Sequence, residues 1–503
     1  MIDALTTNAL TWLLLAYPVG ALLVWLAPRP ESARSVALLA HAVGLGLAVL
    51  VLVGFDGNQS SFQMVNRAAW MPSLNIEYAV GVDGISVLFL PATALLFLGV
   101  TLASWNSARA TEHKLPRLYH SLLLLQAGAT LGVFCAVDVM LFFLFWELSL
   151  VPFYFLVSLW GAGPQRSYAA TKYTLIMFAG GVPLLFGFIV LAFNHAALGG
   201  SGIPAGLSFD LVTLLNTPMP DHLEWAVFLL LFLGFAVKTP VFPLHTWLPL
   251  LSMEGPVAVV ALLTGLKLGA YGLIRFAVPL APEAAHELHW LLAGLGAFGL
   301  LYGAVAALAQ TNLRAMLAYS SLSHVGLVLL GIASFNLQGV QGAVLQLLNF
   351  TLVAGGLFLI TAFLHQRLGS TDVLSLGGAA RSMPLLASLF LFFGLAGMGV
   401  PGTSGFPAEL LILISAIQTH TGAGLSALFG MVVGAGYFLN LYRRAFLGPL
   451  HNPAVAAASD LRPRELALLL AFAALILGFG LYPTPLLEII RPAAEAWATR
   501  LAG

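Results

Sequence analysis

Fourteen stretches of about 20 mostly apolar residues dominate this 503-residue chain and constrain its fold more than any other feature. Their approximate limits are 8–26, 36–54, 86–105, 119–136, 139–160, 171–193, 225–247, 256–277, 289–309, 314–334, 340–365, 384–418, 424–446 and 464–483. Each stretch is long enough to cross the hydrocarbon core of a bilayer as a helix. The sequence therefore predicts an all-α polytopic membrane protein with about fourteen transmembrane helices.

The composition excludes most other classes of protein. Charged residues make up only 8% of the chain and hydrophobic residues 60%, whereas soluble domains carry about 25% charge. A soluble enzyme, a nucleic-acid-binding protein and a disulfide scaffold are therefore excluded. The single cysteine, Cys135, cannot form an internal disulfide or supply the four thiolates of an iron–sulfur cluster. We expect no cofactor and no metal site in this chain.

The basic residues predict the orientation of the helices. If the N-terminus lies outside, the loops predicted to face inside hold thirteen basic residues: Arg29, Arg34, Arg109, Lys114, Arg117, Arg166, Arg314, Arg367, Arg381, Arg443, Arg444, Arg462 and Arg464. The outside regions hold only Arg67, Arg491 and Arg500. This bias follows the positive-inside rule and puts both termini outside the cytoplasm, in a multi-pass protein of the cell inner (plasma) membrane. The long external loop 55–85 is polar, and its 75–84 end is predicted to form a short hairpin.

Four basic residues remain inside the predicted spans: Lys172, Lys238, Lys267 and Arg275. Three of the four lysines of the chain are among them, and a buried lysine, unlike arginine, can give up its proton. Arg275 is close to an outer span end, where we expect its side chain to reach the headgroups. Lys172 either does the same at the inner end of its span or belongs to the functional group.

Two carboxylates and a histidine join these lysines at membrane depth. Glu147 lies about eight residues into the fifth stretch, which is roughly 12 Å at 1.5 Å per residue. Glu409 follows the proline-rich part of the twelfth stretch, and His324 lies in the middle of the tenth. Charges at this depth are expensive and mark functional sites, so Glu147 and Lys238 are expected to be partners. The alternative is an ion pair that only holds two helices together.

Two stretches contain prolines that should break the helix. The seventh is interrupted at Lys238-Thr-Pro-Val-Phe-Pro243, and the twelfth, at 384–418, by Pro401, Gly402, Gly405 and Pro407. We interpret the twelfth as one broken span, with two short spans as the alternative. His245, just after the first break, either gates access or caps a helix end.

The two breaks lie five spans apart, so the second unit is inverted relative to the first, as in transporters with inverted repeats. The sequence therefore predicts an N-terminal part, two inverted five-helix repeats each containing a broken helix, and a C-terminal helix with a tail: residues 1–118, 119–277, 289–446 and 464–503.

At these residues the chain resembles the antiporter-like subunits of respiratory complex I, and among them chain M, the homologue of mitochondrial chain 4. The resemblance covers nearly the whole chain. The matching segments are Phe145–Pro152, Lys238–Pro249, Gly265–Arg275, Ser323–Gly326 and Pro401–Phe406. Chain M is favoured by Glu409, where the related chain L has lysine, and by the lack of a long lateral helix after the last span.

The resemblance implies a role for five residues. Glu147 and Lys238 are expected to form the coupling ion pair, Lys267 to carry protons centrally, His324 to lie beside it, and Glu409 to be the outlet carboxylate. It also implies proton translocation driven by electron transfer elsewhere in the complex. The partners would be other membrane-arm subunits, which alone bind NADH and quinone, and the lipid bilayer.

Two departures from the family pattern stand out. Leu250 and Leu251 follow Trp247-Leu-Pro249, where the family commonly continues Asp-Ala-His. Asn349 occupies a position where many members have histidine. An amide orders water but does not titrate, so both changes point towards a modified lateral path and a specialised paralogue.

Three further functions stay open from the sequence alone. One is a subunit of a multi-subunit sodium/proton antiporter, and another is the membrane partner of an inorganic-carbon uptake complex. The last is a structural subunit that fills a membrane arm without pumping.

Overall fold

The computed structural model describes residues 8–29, 31–105, 115–200 and 202–502, and these are almost entirely helical. A helix lies at each of the fourteen apolar stretches. The first seven stretches correspond to Ala9–Leu26, Ala33–Val53, Phe89–Ala103, Pro116–Cys135, Val139–Leu148 with Leu150–Trp160, Arg166–Gly199, and Asp221–Lys238 with Trp247–Glu254. The other seven correspond to Val257–Gly265 with Leu268–Gly272, His289–Leu308, Leu313–Ala333, Leu337–Asn349 with Gly355–Leu368, Pro384–Gly397 with Gly405–Thr419, Thr421–Phe446 and Pro463–Leu481. We number these spans 1 to 14.

Several short elements connect the spans. They are the strands Gln63–Met71 and Ile76–Val82, the 3-10 turns Pro72–Leu74 and Ala379–Arg381, and the short helices Leu211–Leu215, Val278–Leu280, Pro282–Glu287, Val373–Leu376 and Pro453–Ala456. Wide π-type turns occupy Leu273–Ala277 and Phe350–Ala354. A last helix, Thr484–Ala502, follows span 14, so the predicted tail is helical.

Among the described residues, eleven helices are long and apolar enough to cross a membrane, and a twelfth is added if the bent pair Val373–Arg381 and Pro384–Gly397 counts as one span. The remaining spans fall short for identifiable reasons. Phe89–Ala103 has only 15 residues, and Asp221–Lys238 carries three charged residues. Span 12 is broken into two halves of 14 and 15 residues, Pro384–Gly397 and Gly405–Thr419.

The predicted breaks of spans 7 and 12 are confirmed. In span 7 the helix ends at Lys238 and resumes at Trp247. In span 12 it ends at Gly397 and resumes at Gly405, and Gly399 and Gly402 between them have positive φ. These are backbone conformations in which glycine is favoured.

Two further breaks were not predicted. Span 5 is interrupted at Ser149, directly after the turn that carries Glu147. Span 8 is interrupted at Leu266 and Lys267. Lys267, which the sequence places inside the eighth stretch, therefore lies in a break of its helix. No proline marks this break, and glycines on both sides at Gly265 and Gly269 are the only local signal.

Spans 8 and 11 form the centre of the molecule. The apolar windows of Val257–Leu280 and Leu337–Leu368 are both 94% buried, against 28% for Ala33–Val53 at the edge. Thr351 Oγ1 of span 11 donates a 3.0 Å hydrogen bond to the Gly265 carbonyl, which faces the break in span 8. The irregular backbone of both spans is thus surrounded by protein, as the absence of water in a bilayer requires.

The polar loop forms a larger hairpin than predicted. Strands Gln63–Met71 and Ile76–Val82 pair antiparallel, so the 75–84 segment supplies only the second strand. The hairpin is attached to the bundle by the Val137 amide, which donates to the Ala79 carbonyl at 2.9 Å. We call this side of the molecule the hairpin face. Arg109 and Lys114, which entered the orientation argument, lie outside the described residues.

Arg275 is not a headgroup anchor, and that expectation was wrong. Its side chain is 8% exposed and pairs with Asp83, which is 5% exposed. The two terminal guanidinium nitrogens, Nη1 and Nη2, both donate to the carboxylate, Nη1 at 2.7 Å. The pair joins the segment before span 3 to span 8, and a buried partner at such a sequence separation gives no local signal.

Candidate functional site

Lys238 is the last residue of the first half of span 7, and the break directs its side chain towards span 5. Its Nζ donates to Ser149 Oγ at 2.9 Å and to the Trp146 carbonyl at 3.2 Å. The ammonium also lies 3.9 Å from the centre of the Trp146 ring, a cation–π contact. The interruption of span 5 at Ser149 therefore provides the acceptors that hold this charge.

Glu147 lies beside this cation on the same turn of span 5. Its carboxylate and Lys238 attract each other electrostatically. Within the described part of the chain, however, the two side chains form no direct ion pair, and Glu147 Oε1 is buried without a hydrogen-bond partner. The structure thus places the two predicted partners next to each other, but their charged atoms are not in direct ion-pair contact.

A small cavity extends from Lys238 towards span 8. Its volume is about 30 Å³, which is enough for one water molecule. Gln126 and Thr130 of span 4 line it together with Lys238 and Leu263. Gln126 Oε1 is buried and has no hydrogen-bond partner. Gln126 was missed in the sequence because a single amide in an apolar span carries no charge to attract notice.

Lys267 lies in the break of span 8, between Leu266 and Leu268, which both line this cavity. Its Nζ donates to the Leu263 carbonyl at 3.1 Å, and Lys267 is 4% exposed. The ammonium is 5.3 Å from the centre of the Phe350 ring in span 11. Leu263 therefore contacts both the cavity of Lys238 and the charge of Lys267.

His324 packs against Phe350, the ring that also lies beside Lys267. Its Nδ1 lies 2.8 Å from the Ser320 carbonyl and its Nε2 lies 2.8 Å from the Gly397 carbonyl. Carbonyl oxygens only accept hydrogen bonds, and a neutral imidazole has one N–H. Both ring nitrogens of His324 therefore face hydrogen-bond acceptors. The Gly397 carbonyl is free to accept because span 12 ends there.

Glu409 completes the row. Its Oε1 lies 3.7 Å from His324 Nε2, and its Oε2 is buried without a hydrogen-bond partner. Two cavities of about 40 Å³ each meet at His324. One is also lined by Glu409 and Tyr437, and the other by Phe350 and Asn349. Each cavity has room for a water molecule beside His324.

Asn349, at a position where many family members have histidine, lies in span 11 and links this span to the break in span 12. It accepts a 2.7 Å hydrogen bond from Ser404 Oγ, in the break of span 12. It lies directly before the wide turn at Phe350–Ala354. An amide here keeps a polar group on the wall of the cavity beside His324 without adding a charge.

The five residues proposed from the sequence therefore form one row through the centre of the molecule. It runs from Glu147 and Lys238 over Lys267 to His324 and Glu409, with one small cavity beside Lys238 and another between His324 and Glu409. Such a row can pass protons through bound water, because it combines acids with bases and small cavities lie beside Lys238 and His324. Among the described residues, no three His, Cys, Asp or Glu side chains are grouped to hold a metal ion.

Two polar side chains stay outside this row. His245, which was predicted to gate access or cap a helix end, packs its ring among Phe242 and Tyr302. Lys172 is half-buried near the start of span 6. Neither lines the cavities beside Lys238 and His324.

Comparison with known proteins decides the family. A family model described as "NADH:quinone oxidoreductase/Mrp antiporter, TM" matches residues 136–434, which is more than half of the chain. NADH-quinone oxidoreductase subunit M of Pseudomonas aeruginosa is 37% identical over 496 residues, covering 95% of both chains. The chain belongs to this antiporter family. The resemblance to chain M found in the sequence is thereby confirmed.

Solved structures agree with this assignment. One chain of respiratory complex I from Thermus thermophilus, solved with bound NADH, superimposes on this member of the family with a TM-score of 0.88. The two are 31% identical, and the match covers 98% of this chain and 100% of that one. A chain of the Mrp complex from Dietzia sp. DQ12-45-1b has a TM-score of 0.84 at 22% identity, covering 99% and 100%. At that identity the similarity concerns the fold alone.

Proposed function

We propose that this chain is the proton-translocating M subunit of an NADH:quinone oxidoreductase, which couples electron transfer elsewhere in the complex to proton pumping. The single observation that carries the proposal is the row of five titratable side chains at membrane depth, with water-sized cavities beside Lys238 and between His324 and Glu409. Charged groups are costly inside a bilayer, and a connected set of mixed sign is typical of proton relays.

Movement of Lys238 drives the transfer. With Lys238 close to Glu147, repulsion on Lys267 is weak and Lys267 takes up a proton. When Lys238 moves into the cavity towards Gln126, the two ammonium groups repel each other and Lys267 releases its proton towards His324. The cavity of about 30 Å³ supports this step, because it offers Lys238 an unoccupied oxygen at Gln126. Glu409 then receives the proton from His324.

Fourteen spans are proposed, as the sequence predicts. The eleven long helices are joined by the shorter Phe89–Ala103, by Asp221–Lys238 with its charged residues, and by the broken span 12. The positive-inside bias then puts both termini and the hairpin face outside the cytoplasm.

Two inverted repeats, spans 4 to 8 and spans 9 to 13, are supported by a recurring backbone contact. In the first unit, the residues before span 5 pair with those before a short helix: the Val139 amide donates to Phe209 and the Leu211 amide to Val137. In the second unit, before span 10, the Leu313 amide donates to Thr371 and the Val373 amide to Thr311 in the same way. The short helices Leu211–Leu215 and Val373–Leu376 therefore occupy equivalent places.

The partners proposed for the chain are the other membrane-arm subunits of such a complex, in the cell inner membrane. NADH and quinone bind to other subunits, and this chain carries no cofactor. The sodium/proton antiporter is the second candidate, because the fold is shared with the Mrp complex chain. The higher identity to the complex I chain, 31% against 22%, favours the first.

A single variant tests the proposed function. The complex carrying Glu147→Ala, reconstituted into liposomes, should assemble and lose most of its proton pumping, since the relay lacks its first carboxylate. Glu488→Ala, at an exposed carboxylate of the last helix, is the matched control and should pump normally. Normal pumping by Glu147→Ala would overturn the proposal. Purification of the tagged chain with antiporter subunits instead of redox subunits would favour the second candidate.

A further inference from the structure

Each of the two carboxylates in the row has one oxygen that lies against a glycine. A methyl group built on Gly181 of span 6 would overlap Glu147 Oε1. A methyl group built on Gly399, in the break of span 12, would overlap Glu409 Oε2. These are the same two oxygens that are buried without a hydrogen-bond partner. In both halves, therefore, a carboxylate oxygen occupies the space that a side chain would otherwise fill.

The base beside each carboxylate is held back from it by other acceptors. Lys238 donates to the Trp146 carbonyl and Ser149 Oγ, at 3.2 and 2.9 Å. His324 Nε2 is 2.8 Å from the Gly397 carbonyl but 3.7 Å from Glu409 Oε1. Acid and base are thus neighbours in both places, and neither pair has closed into a direct ion pair of ordinary length.

We propose that Gly181 and Gly399 are positioning residues, whose missing side chains leave slots that keep Glu147 and Glu409 from locking onto their bases. This inference rests on the proposed role of the two carboxylates in proton transfer. A slot without a donor disfavours an ionised oxygen, because the lost hydration is not replaced. The carboxyl group therefore exchanges a proton with its neighbour instead of remaining in a permanent ion pair.

Gly181→Ala is the decisive variant, because Gly181 lies in a regular helix. The added methyl group should displace the Glu147 carboxylate onto Lys238 and close the ion pair, and proton pumping should be mostly lost in the assembled complex. Gly187→Ala is the matched control on the same helix. Its methyl group would meet apolar carbons as its nearest neighbours: Leu231 Cδ2 at 2.7 Å, Leu231 Cγ at 3.1 Å and Leu230 Cβ at 3.5 Å. This control should pump normally. Gly399 has φ +64°, so a substitution there also strains the backbone.

A rescue experiment distinguishes the filling of the slot at Gly181 from a general packing defect caused by the added methyl group. Glu147→Asp shortens the acid by one methylene and should restore part of the pumping when combined with Gly181→Ala, since the shorter side chain leaves room for the methyl group. A Gly181→Ala complex that pumps as well as Gly187→Ala, or a double variant without any recovery, would overturn the inference. Normal pumping by Glu147→Ala would instead overturn the proposed function.

Infrared difference spectroscopy tests the slot without any change at Gly181. The band of Glu147 can be assigned by its loss in Glu147→Gln. In the wild-type complex it should be the C=O stretch of a protonated carboxyl group whose carbonyl oxygen accepts no hydrogen bond. In Gly181→Ala it should move to the carboxylate region. A wild-type band of a permanently ionised or strongly hydrogen-bonded group would contradict the inference, even if Gly181→Ala failed to assemble.

Discussion

Lys238 Nζ lies 2.9 Å from Ser149 Oγ, at the interruption of span 5, and not on the carboxylate of Glu147. The hydroxyl and the adjacent Trp146 carbonyl hold the ammonium beside its acid partner. Ser149 is 1% exposed, and its own hydroxyl donates to the Trp146 carbonyl at 2.7 Å. The break in the helix is thus part of the binding site for this cation.

Ser149→Ala should impair proton pumping. A hydrogen bond to a charged group contributes about 1.5–3 kcal/mol, so without the hydroxyl the ammonium should move closer to Glu147 and leave it less readily. Pumping by the reconstituted complex measures the effect. Ser158→Ala, on the second half of the same span, removes a hydroxyl that contacts only the Phe155 carbonyl at 3.5 Å and should be neutral. Equal pumping by both variants would contradict the role of Ser149.

Lys267→Arg should fail although it keeps the positive charge. Arginine does not release its proton in proteins, so it cannot carry one between Lys238 and His324. The proton-to-electron ratio of the reconstituted complex is the measurement. Lys172→Arg, at a half-buried lysine outside the row, is the matched control and should be tolerated. A Lys267→Arg complex with the normal ratio would refute the titrating role of this lysine.

The buried pair of Arg275 and Asp83 should be structural. Arg275→Ala leaves a buried carboxylate unpaired, which destabilises by about 3–5 kcal/mol, so the variant should assemble poorly. Replacing both residues, as in Asp83→Leu with Arg275→Met, should recover much of the thermal stability. The melting temperature of the purified complex distinguishes the two. If the single and the double variant were equally stable, the pair would not have the assigned role.

Acid should weaken the attachment of the hairpin through Asp210. Burial raises the pKa of this carboxyl, but hydrogen bonds from Arg67 and Thr213 outweigh it and lower the pKa below 3.8. A carboxylate with a depressed folded-state pKa stabilises the fold near neutral pH, and this contribution is lost as the pH falls through that pKa.

Thermal unfolding of the purified complex at decreasing pH measures this contribution. Asp210→Asn should lower stability near neutral pH by about 1 kcal/mol, as expected for a partly exposed pair, and should lose less than wild type on acidification. Asp221→Asn, at an exposed carboxylate, is the control. Identical acid profiles of the Asp210→Asn and wild-type complexes would argue against the attachment.

The orientation can be tested with single cysteines, because Cys135 is fully buried and should not react. Ala162→Cys lies in the loop after span 5 and should react with an impermeant thiol reagent only from the cytoplasmic side. Ser60→Cys, in the loop before the hairpin, should react only from the outside. The opposite pattern would reverse the proposed topology.

The sequence predicted the helices and the charged residues of the row well, because both signals are local. An apolar run of about 20 residues has few alternatives in a bilayer, and a charge inside it is conspicuous. The breaks of spans 7 and 12 were predictable from their prolines. The break at Lys267 was not, since the segment has no proline and its irregular backbone is satisfied by contacts with span 11.

The partners of each charge were harder to predict. Asp83 and Arg275 lie 192 residues apart, and nothing in either segment indicates the other. Gln126 and Gly181 contribute an uncharged amide and a missing side chain, which no composition pattern distinguishes from ordinary packing residues. These features depend on how distant spans meet, so they become visible only in the folded molecule.

The last helix, Thr484–Ala502, fastens parts of both halves together on the hairpin face. Trp497 Nε1 donates to the Ile274 carbonyl of span 8 at 2.8 Å, and Gln341 of span 11 donates to the Leu487 carbonyl at 3.3 Å. The last helix thus connects span 8 to span 11 through these two hydrogen bonds. A movement of span 8 relative to span 11 would have to break these bonds on the hairpin face, whereas the last helix places no such restraint on the opposite ends of the two spans.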